Sequence, residues 1–163
     1  MKVLLSPAKS LDFDTELPTK KSTIPKFADE TSELVKVLQT KSKNDLTQLM
    51  SISDNLAALN YDRFQDFDFN ADTSKGRPAI YTFNGDVYDG FDAFSIPADH
   101  IDFMQDTVRI LSGLYGILKP LDQMQAYRLE MGTQLKVGQS KNLYEFWQEK
   151  ITDQLKEELA NDE

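Results

Sequence analysis

The chain has no cysteine and only one histidine among its 163 residues. Without cysteine there is no disulfide framework, no thiolate nucleophile and no Cys-based metal site. With His100 alone, a two-His zinc site is excluded, and no Ser-His-Asp or Cys-His arrangement can be placed. No apolar run approaches the length of a membrane span. The opening Met1–Ser6 is too short and too soon interrupted for a signal peptide. Internal repeats and low-complexity segments are absent. A cytoplasmic protein of bacterial type is the simplest reading of these absences.

Positive charge is also scarce: 18 Lys and Arg against 27 Asp and Glu give a net charge of −9. That balance argues against a nucleic-acid binder. Its distribution softens the argument, because residues 105–150 hold 6 basic against 5 acidic side chains and residues 31–104 hold 6 against 12. A local positive cleft is therefore compatible with an acidic body. Apolar residues at 40% and charged residues at 28% predict a folded chain with a core, and the length suits one domain.

The organising stretch is Arg109–Gly132. An apolar run, Ile110-Leu111, enters Ser112-Gly113-Leu114-Tyr115-Gly116, followed by Lys119-Pro120 and Tyr127-Arg128-Leu129-Glu130. Glycines permit backbone angles and close approaches that a Cβ forbids. Amides freed in such a bend can face an anion. Lys119 and Arg128 would bring positive charge to the same place, with Tyr115 and Tyr127 as flat, partly polar surfaces. The structural alternative is a tight strand-to-helix turn with Lys119 solvated. Val108–Ser112 reads as a buried strand and Gly113–Leu118 as its turn into a short helix. In a second reading, residues 98–125 form a helix-hairpin-helix element, which offers amides and a lysine to phosphates without reading sequence.

Elsewhere, Lys2–Leu5 reads as a buried strand stopped by Ser6-Pro7, and Lys9 lies in the loop beyond it, where open α/β sheets place ligands. Asp12 and Asp14 stand in the same loop at no recognisable metal spacing. A helix over about 25–40 would bury Phe27, Thr31, Leu34, Val35 and Leu38; shorter helices follow, one with Asn44 as its cap and one capped by Ser53. Residues 66–78 form a surface loop. Ile80–Phe83 is β-prone and runs into the turn Asn84-Gly85-Asp86, where Asp86 is either an acid/base or a helix cap. A helix spans about 97–107, and Leu135–Gly138 reads as a strand. Asn142 then caps a last helix, with Glu145 at the capping-box position and Leu143, Phe146, Trp147, Ile151, Leu155 and Leu159 along its apolar stripe. The fold class is α/β, a mixed sheet flanked by helices.

Several of these pieces, taken in order, resemble the YaaA family of peroxide-stress proteins. They are Leu4-Leu5-Ser6-Pro7-Ala8-Lys9-Ser10-Leu11-Asp12, Phe83-Asn84-Gly85-Asp86-Val87-Tyr88, Leu111-Ser112-Gly113-Leu114-Tyr115-Gly116 with Leu118-Lys119-Pro120-Leu121-Asp122, Tyr127-Arg128-Leu129-Glu130-Met131-Gly132 and Asn142-Leu143-Tyr144-Glu145-Phe146-Trp147. The resemblance covers nearly the whole chain. Family members run past its end, so residues 1–163 are expected to be one YaaA-like domain, incomplete at the C-terminus and lacking a Lys/Arg-containing segment. The resemblance implies a cytoplasmic oxidative-stress protein that limits damage from iron and peroxide. It also implies binding to duplex and junction DNA, without sequence specificity, through a positive cleft. Carried over by position, the DNA- or anion-binding residues are Lys9, Gly113, Tyr115, Gly116, Lys119 and Arg128.

Read from the residues, the alternative is an enzyme of unknown reaction. Its polar pocket would be built from Lys9, Asn84, Asp86, Tyr127, Arg128 and Glu130, with Lys9, Asp86, Arg128 and Glu130 as catalytic candidates. A third reading, iron held by Asp12, Asp14 and Glu130, ranks last because the spacing is not a metal motif. No cofactor and no resident metal are expected.

Overall fold

A computed structural model describes residues 1–162. At its centre is a three-stranded mixed sheet in the order β1 (Val3–Leu5), β5 (Val108–Ser112), β6 (Gly116–Leu118). β1 runs parallel to β5, with Val3 opposite Val108 and Leu5 opposite Ile110. β6 runs antiparallel to β5, pairing Leu118 with Ile110 and Gly116 with Ser112. The remaining strands form two small antiparallel pairs. One joins β2 (Ser10–Leu11) to β4 (Phe83–Asn84), and the other joins β3 (Arg77–Pro78) to β7 (Gln123–Met124). The α/β reading with a mixed sheet and flanking helices holds.

Helices cover this frame. α1 (Ala28–Gln39) buries Thr31, Leu34, Val35 and Leu38, with Phe27 buried just before it, as its spacing predicts. α2 (Lys43–Met50) and α3 (Asp54–Gln65) pack together, and α3 also meets α1. Ser53 accepts the Leu56 N–H as the cap of α3. Ser42, rather than Asn44, caps α2, in a reciprocal box with Asp45. α4 (Asp86–Phe91) and α5 (Ile101–Thr107) are short, and α5 leads straight into β5.

The last helix, α6 (Leu143–Ala160), lies against β6. Asn142 accepts the Glu145 N–H at 2.9 Å, as the cap reading requires. The Glu145 carboxylate reaches one residue further back than a capping box does, to the Lys141 N–H. Glu158 lies in the last turn of α6, where negative charge opposes the helix dipole. It has a partner instead: buried Arg109 of β5, whose Nε lies 3.1 Å from Glu158 Oε2. A buried guanidinium needs that carboxylate, and it also donates to the carbonyls of Gln105 and Val108.

Several expectations change: the strand at Lys2–Leu5 forms but leaves Val3 and Leu4 exposed, Gly113–Leu118 turns into a strand and not a short helix, and the loop at residues 66–78 ends in the buried strand β3. Residues 98–125 are not a helix-hairpin-helix: after α5 come β5, a turn and β6, with no second α-helix before residue 125. The cause is Gly116, whose φ of +76° turns the chain back so that Ile117 and Leu118 pair with β5. Pro120 and the Lys119–Asp122 turn then prevent helical continuation. Ile80–Phe83 is not one strand, because Ala79–Tyr81 form a 3-10 turn. Thr82 closes that turn by donating through Oγ1 to the Pro78 carbonyl. Leu135–Gly138 keeps only a bridge between Val137 and Ser140. Among the described residues, no helix is long and apolar enough to cross a membrane.

Candidate functional site

β1 and β5 are parallel, so both end at the same edge of the sheet. From that edge the chain leaves β1 into Ser6-Pro7-Ala8-Lys9, and leaves β5 into the bend Gly113-Leu114-Tyr115. The bend is not an amide cradle at the surface. Gly113, Leu114, Tyr115 and Gly116 are all buried. The Gly113 carbonyl accepts from Trp147 Nε1 at 2.8 Å, and the Tyr115 N–H donates to Ser112 Oγ at 3.0 Å.

The two glycines serve packing. A Cβ on Gly113 would fall 2.1 Å from the Leu129 carbonyl oxygen, so glycine there lets the backbone of Leu129 and Glu130 lie against the bend. A Cβ on Gly116 would fall 2.6 Å from the Trp147 ring. The first of these approaches places the Tyr127–Glu130 segment beside the loop that carries Lys9.

Between those segments lies a cavity of about 200 Å³, lined by Pro7, Ala8, Lys9, Tyr127, Arg128, Leu129 and Glu130. One carboxylate oxygen, Glu130 Oε1, is 3.5 Å from Lys9 Nζ and 3.6 Å from Arg128 Nη2. Two cations thus converge on a single acceptor. Lys9 and Glu130 are largely exposed, whereas Arg128 is mostly covered. Ion pairs this open are weak, on the order of 0–1 kcal/mol, so a stronger anion can compete with Glu130.

Aromatic packing holds this arrangement. The Tyr127 hydroxyl and Ser112 Oγ are 2.6 Å apart. Tyr115 and Tyr127 meet edge to face, as do Tyr127 and Phe83. Phe83 packs on Tyr88, whose hydroxyl donates to the Ser6 carbonyl at 2.7 Å and pins the start of the Lys9 loop. The N–H of Gln125 donates to the Tyr115 hydroxyl. Burial pushes the phenols of Tyr88, Tyr115 and Tyr127 well above their usual range; at Tyr127 the Ser112 hydrogen bond opposes that shift.

The candidates divide accordingly. Lys9, Tyr127, Arg128 and Glu130 come together. Gly113, Tyr115 and Gly116 lie beneath them, buried. Lys119 is exposed but distant, because β6 is antiparallel to β5 and carries Lys119 back past Ile110, toward the opposite edge of the sheet. Asn84 lines a neighbouring hollow of about 300 Å³ with Asp12, Tyr88, Asp89 and Asp92. Asp86 is the first residue of α4 and makes no side-chain cap bond; Gly85, before it, is the cap residue. The Gly85 Cα faces Ala8, so this turn abuts the Lys9 loop without lining its cavity.

Among the described residues, no three acidic or histidine side chains gather as a metal site. Asp12 and Glu130 go separate ways. Asp12 caps its own loop through the N–H groups of Asp14 and Thr15 and lies 4.0 Å from Arg77. The hydrogen bonds from Thr15 chiefly, then the Asp14 amide and the Arg77 charge, lower its carboxyl to about 2. Sequence reasoning did not single out Ser112, Tyr88, Gln125 or Leu129 as parts of the site. Their roles depend on register and packing, for which no local motif exists.

A UPF0246 protein of Flavobacterium johnsoniae is 56% identical over 163 residues, which is 100% of this chain and 65% of that protein. A UPF0246 protein of Flavobacterium psychrophilum is 52% identical over the same span, again 65% of its length. One from Polynucleobacter asymbioticus is 53% identical over 156 residues, 96% of this chain and 60% of its own. The chain therefore spans less than two thirds of the length of these relatives. The family model described as "Peroxide stress protein YaaA" matches residues 1–163, and the chain belongs to that family.

Proposed function

We propose that this chain serves the cytoplasmic response to peroxide stress by binding DNA backbone phosphates through the Lys9–Arg128 cavity, limiting iron and peroxide damage at the bound nucleic acid. The observation that carries this reading is the convergence of Lys9 Nζ and Arg128 Nη2 on one oxygen, Glu130 Oε1, in a concave site at the sheet edge. An oxygen anion is what such a pair recognises. The family description supplies the peroxide context. Contacts to phosphate orient a protein without selecting sequence, in keeping with non-specific binding. Exposed Lys119, at the other edge, supplies a separate contact to a long duplex.

Fluorescence anisotropy with a labelled duplex at several salt concentrations tests this. Lys9→Ala and Arg128→Ala should each weaken binding to every duplex alike and flatten the log Kd against log salt slope by about 1. Unchanged slopes in both variants would remove the cavity from DNA binding.

A second reading is favoured by the same convergence. The cavity, with Tyr127 beside Arg128 and a carboxylate within reach of both cations, also suits an enzyme acting on a small anionic substrate, with Glu130 as acid/base. Turnover of a phosphorylated metabolite that is lost in Glu130→Gln but spared in Lys119→Ala would favour it over DNA binding.

A further inference from the structure

β1 is an edge strand. It pairs with β5 on one side and, among the described residues, with no strand on the other. Val3 and Leu4 are exposed along it. Beside it lies the largest of the hollows described here, about 730 Å³, with walls that include Met1, Val3, Phe91, Ile96, Phe103 and Met104. Phe103 is 71% exposed at its rim. Among the described residues, His100 and Thr107 are the polar side chains that line it, and the Met1 amino group is already paired with Asp162, so few polar groups are left to orient a small ligand.

An open strand edge with an apolar hollow beside it suits a polypeptide, which can add a strand to the edge and fill the hollow with side chains. Two observations indicate which polypeptide. The region shared with this chain makes up only 65% of the Flavobacterium johnsoniae protein. The end of α6 also brings Asp162 into an ion pair with the Met1 amino group, and Met1 lines the hollow. Both ends of the shared region therefore meet at its lip, and a segment continuing from either end starts there.

We propose that the β1 edge and its hollow are the docking site for the segment that the longer relatives possess outside the region shared with this chain. That segment adds a strand along Val3–Leu5 and seats apolar side chains against Phe103 and Met104.

The test compares the 163-residue chain with a form extended by that segment of the Flavobacterium johnsoniae protein, joined where the relative carries it. Amide exchange at residues 2–5 should slow about tenfold or more in the extended form. Phe103→Glu should leave the melting temperature of the shorter chain unchanged, lower that of the extended form by about 5 °C, and abolish the added protection. If the extended form does not fold, exchange at the matching strand of the intact Flavobacterium johnsoniae protein decides the matter. Unchanged exchange at β1, or equal effects of Phe103→Glu in both forms, would overturn the proposal. So would a dimer of the shorter chain that Phe103→Glu dissociates, which would give the hollow to a second copy.

Discussion

Gly116 and Trp147 occupy adjoining space so closely that a Cβ on residue 116 would lie 2.6 Å from the indole ring. The same indole donates to the Gly113 carbonyl, so one aromatic side chain on α6 fixes both glycines of the bend. Gly116→Ala must then accept a left-handed φ of +76° as well as the clash. The backbone cost is about 1–2 kcal/mol and overpacking adds about 1–3 kcal/mol. Urea unfolding should show a loss of about 3 kcal/mol. Gly132→Ala, with open space at its Cβ, should change stability by no more than about 1 kcal/mol.

The tyrosines beneath the cavity give a pH signature. Burial raises the phenols of Tyr88, Tyr115 and Tyr127 above their ordinary value of 10.0, and that of Tyr81 moves the same way. A group whose folded pKa lies above its unfolded one contributes stability that is complete below the unfolded value and is lost as pH rises beyond it. Stability should therefore hold up to about pH 10 and fall above it. Absorbance at 295 nm should show these phenols ionising together with loss of near-UV circular dichroism, not before it. Tyr127→Phe should diminish that alkaline step.

Glu130 occupies the position that an incoming anion would take between Lys9 and Arg128. Removing its charge should therefore strengthen binding. Glu130→Gln is expected to tighten duplex affinity about three- to fivefold, the size of a weak exposed ion pair released from competition. Titration of the variant beside the parent measures it. A weakened affinity would mean that Glu130 contributes to the bound state instead, in line with the acid/base reading.

Much of the frame was legible because its signals are local. The α1 stripe, the Ser53 and Asn142 caps and the buried run of β5 each depend on residues within a few positions of one another. The turn at Ala79–Tyr81 was not legible. Its residues are buried, and without alternation β-propensity cannot distinguish a strand from a 3-10 turn closed by Thr82. The glycine bend was recognised as important but for a different reason from the one its structure supplies. Its glycines admit Leu129 and Trp147, and a single chain in one dimension does not reveal which backbone will pass over it. The meeting of Lys9 with Arg128 likewise follows from the parallel pairing of β1 with β5, and the distance of Lys119 follows from the antiparallel return of β6.

The most direct measurement of the central claim is lysine acetylation followed by mass spectrometry, with and without saturating duplex DNA. If phosphate enters between Lys9 and Arg128, Lys9 should react about tenfold more slowly in the complex, while exposed Lys75, in the loop before β3, keeps its rate. An unaltered rate at Lys9, with DNA demonstrably bound, would contradict the account.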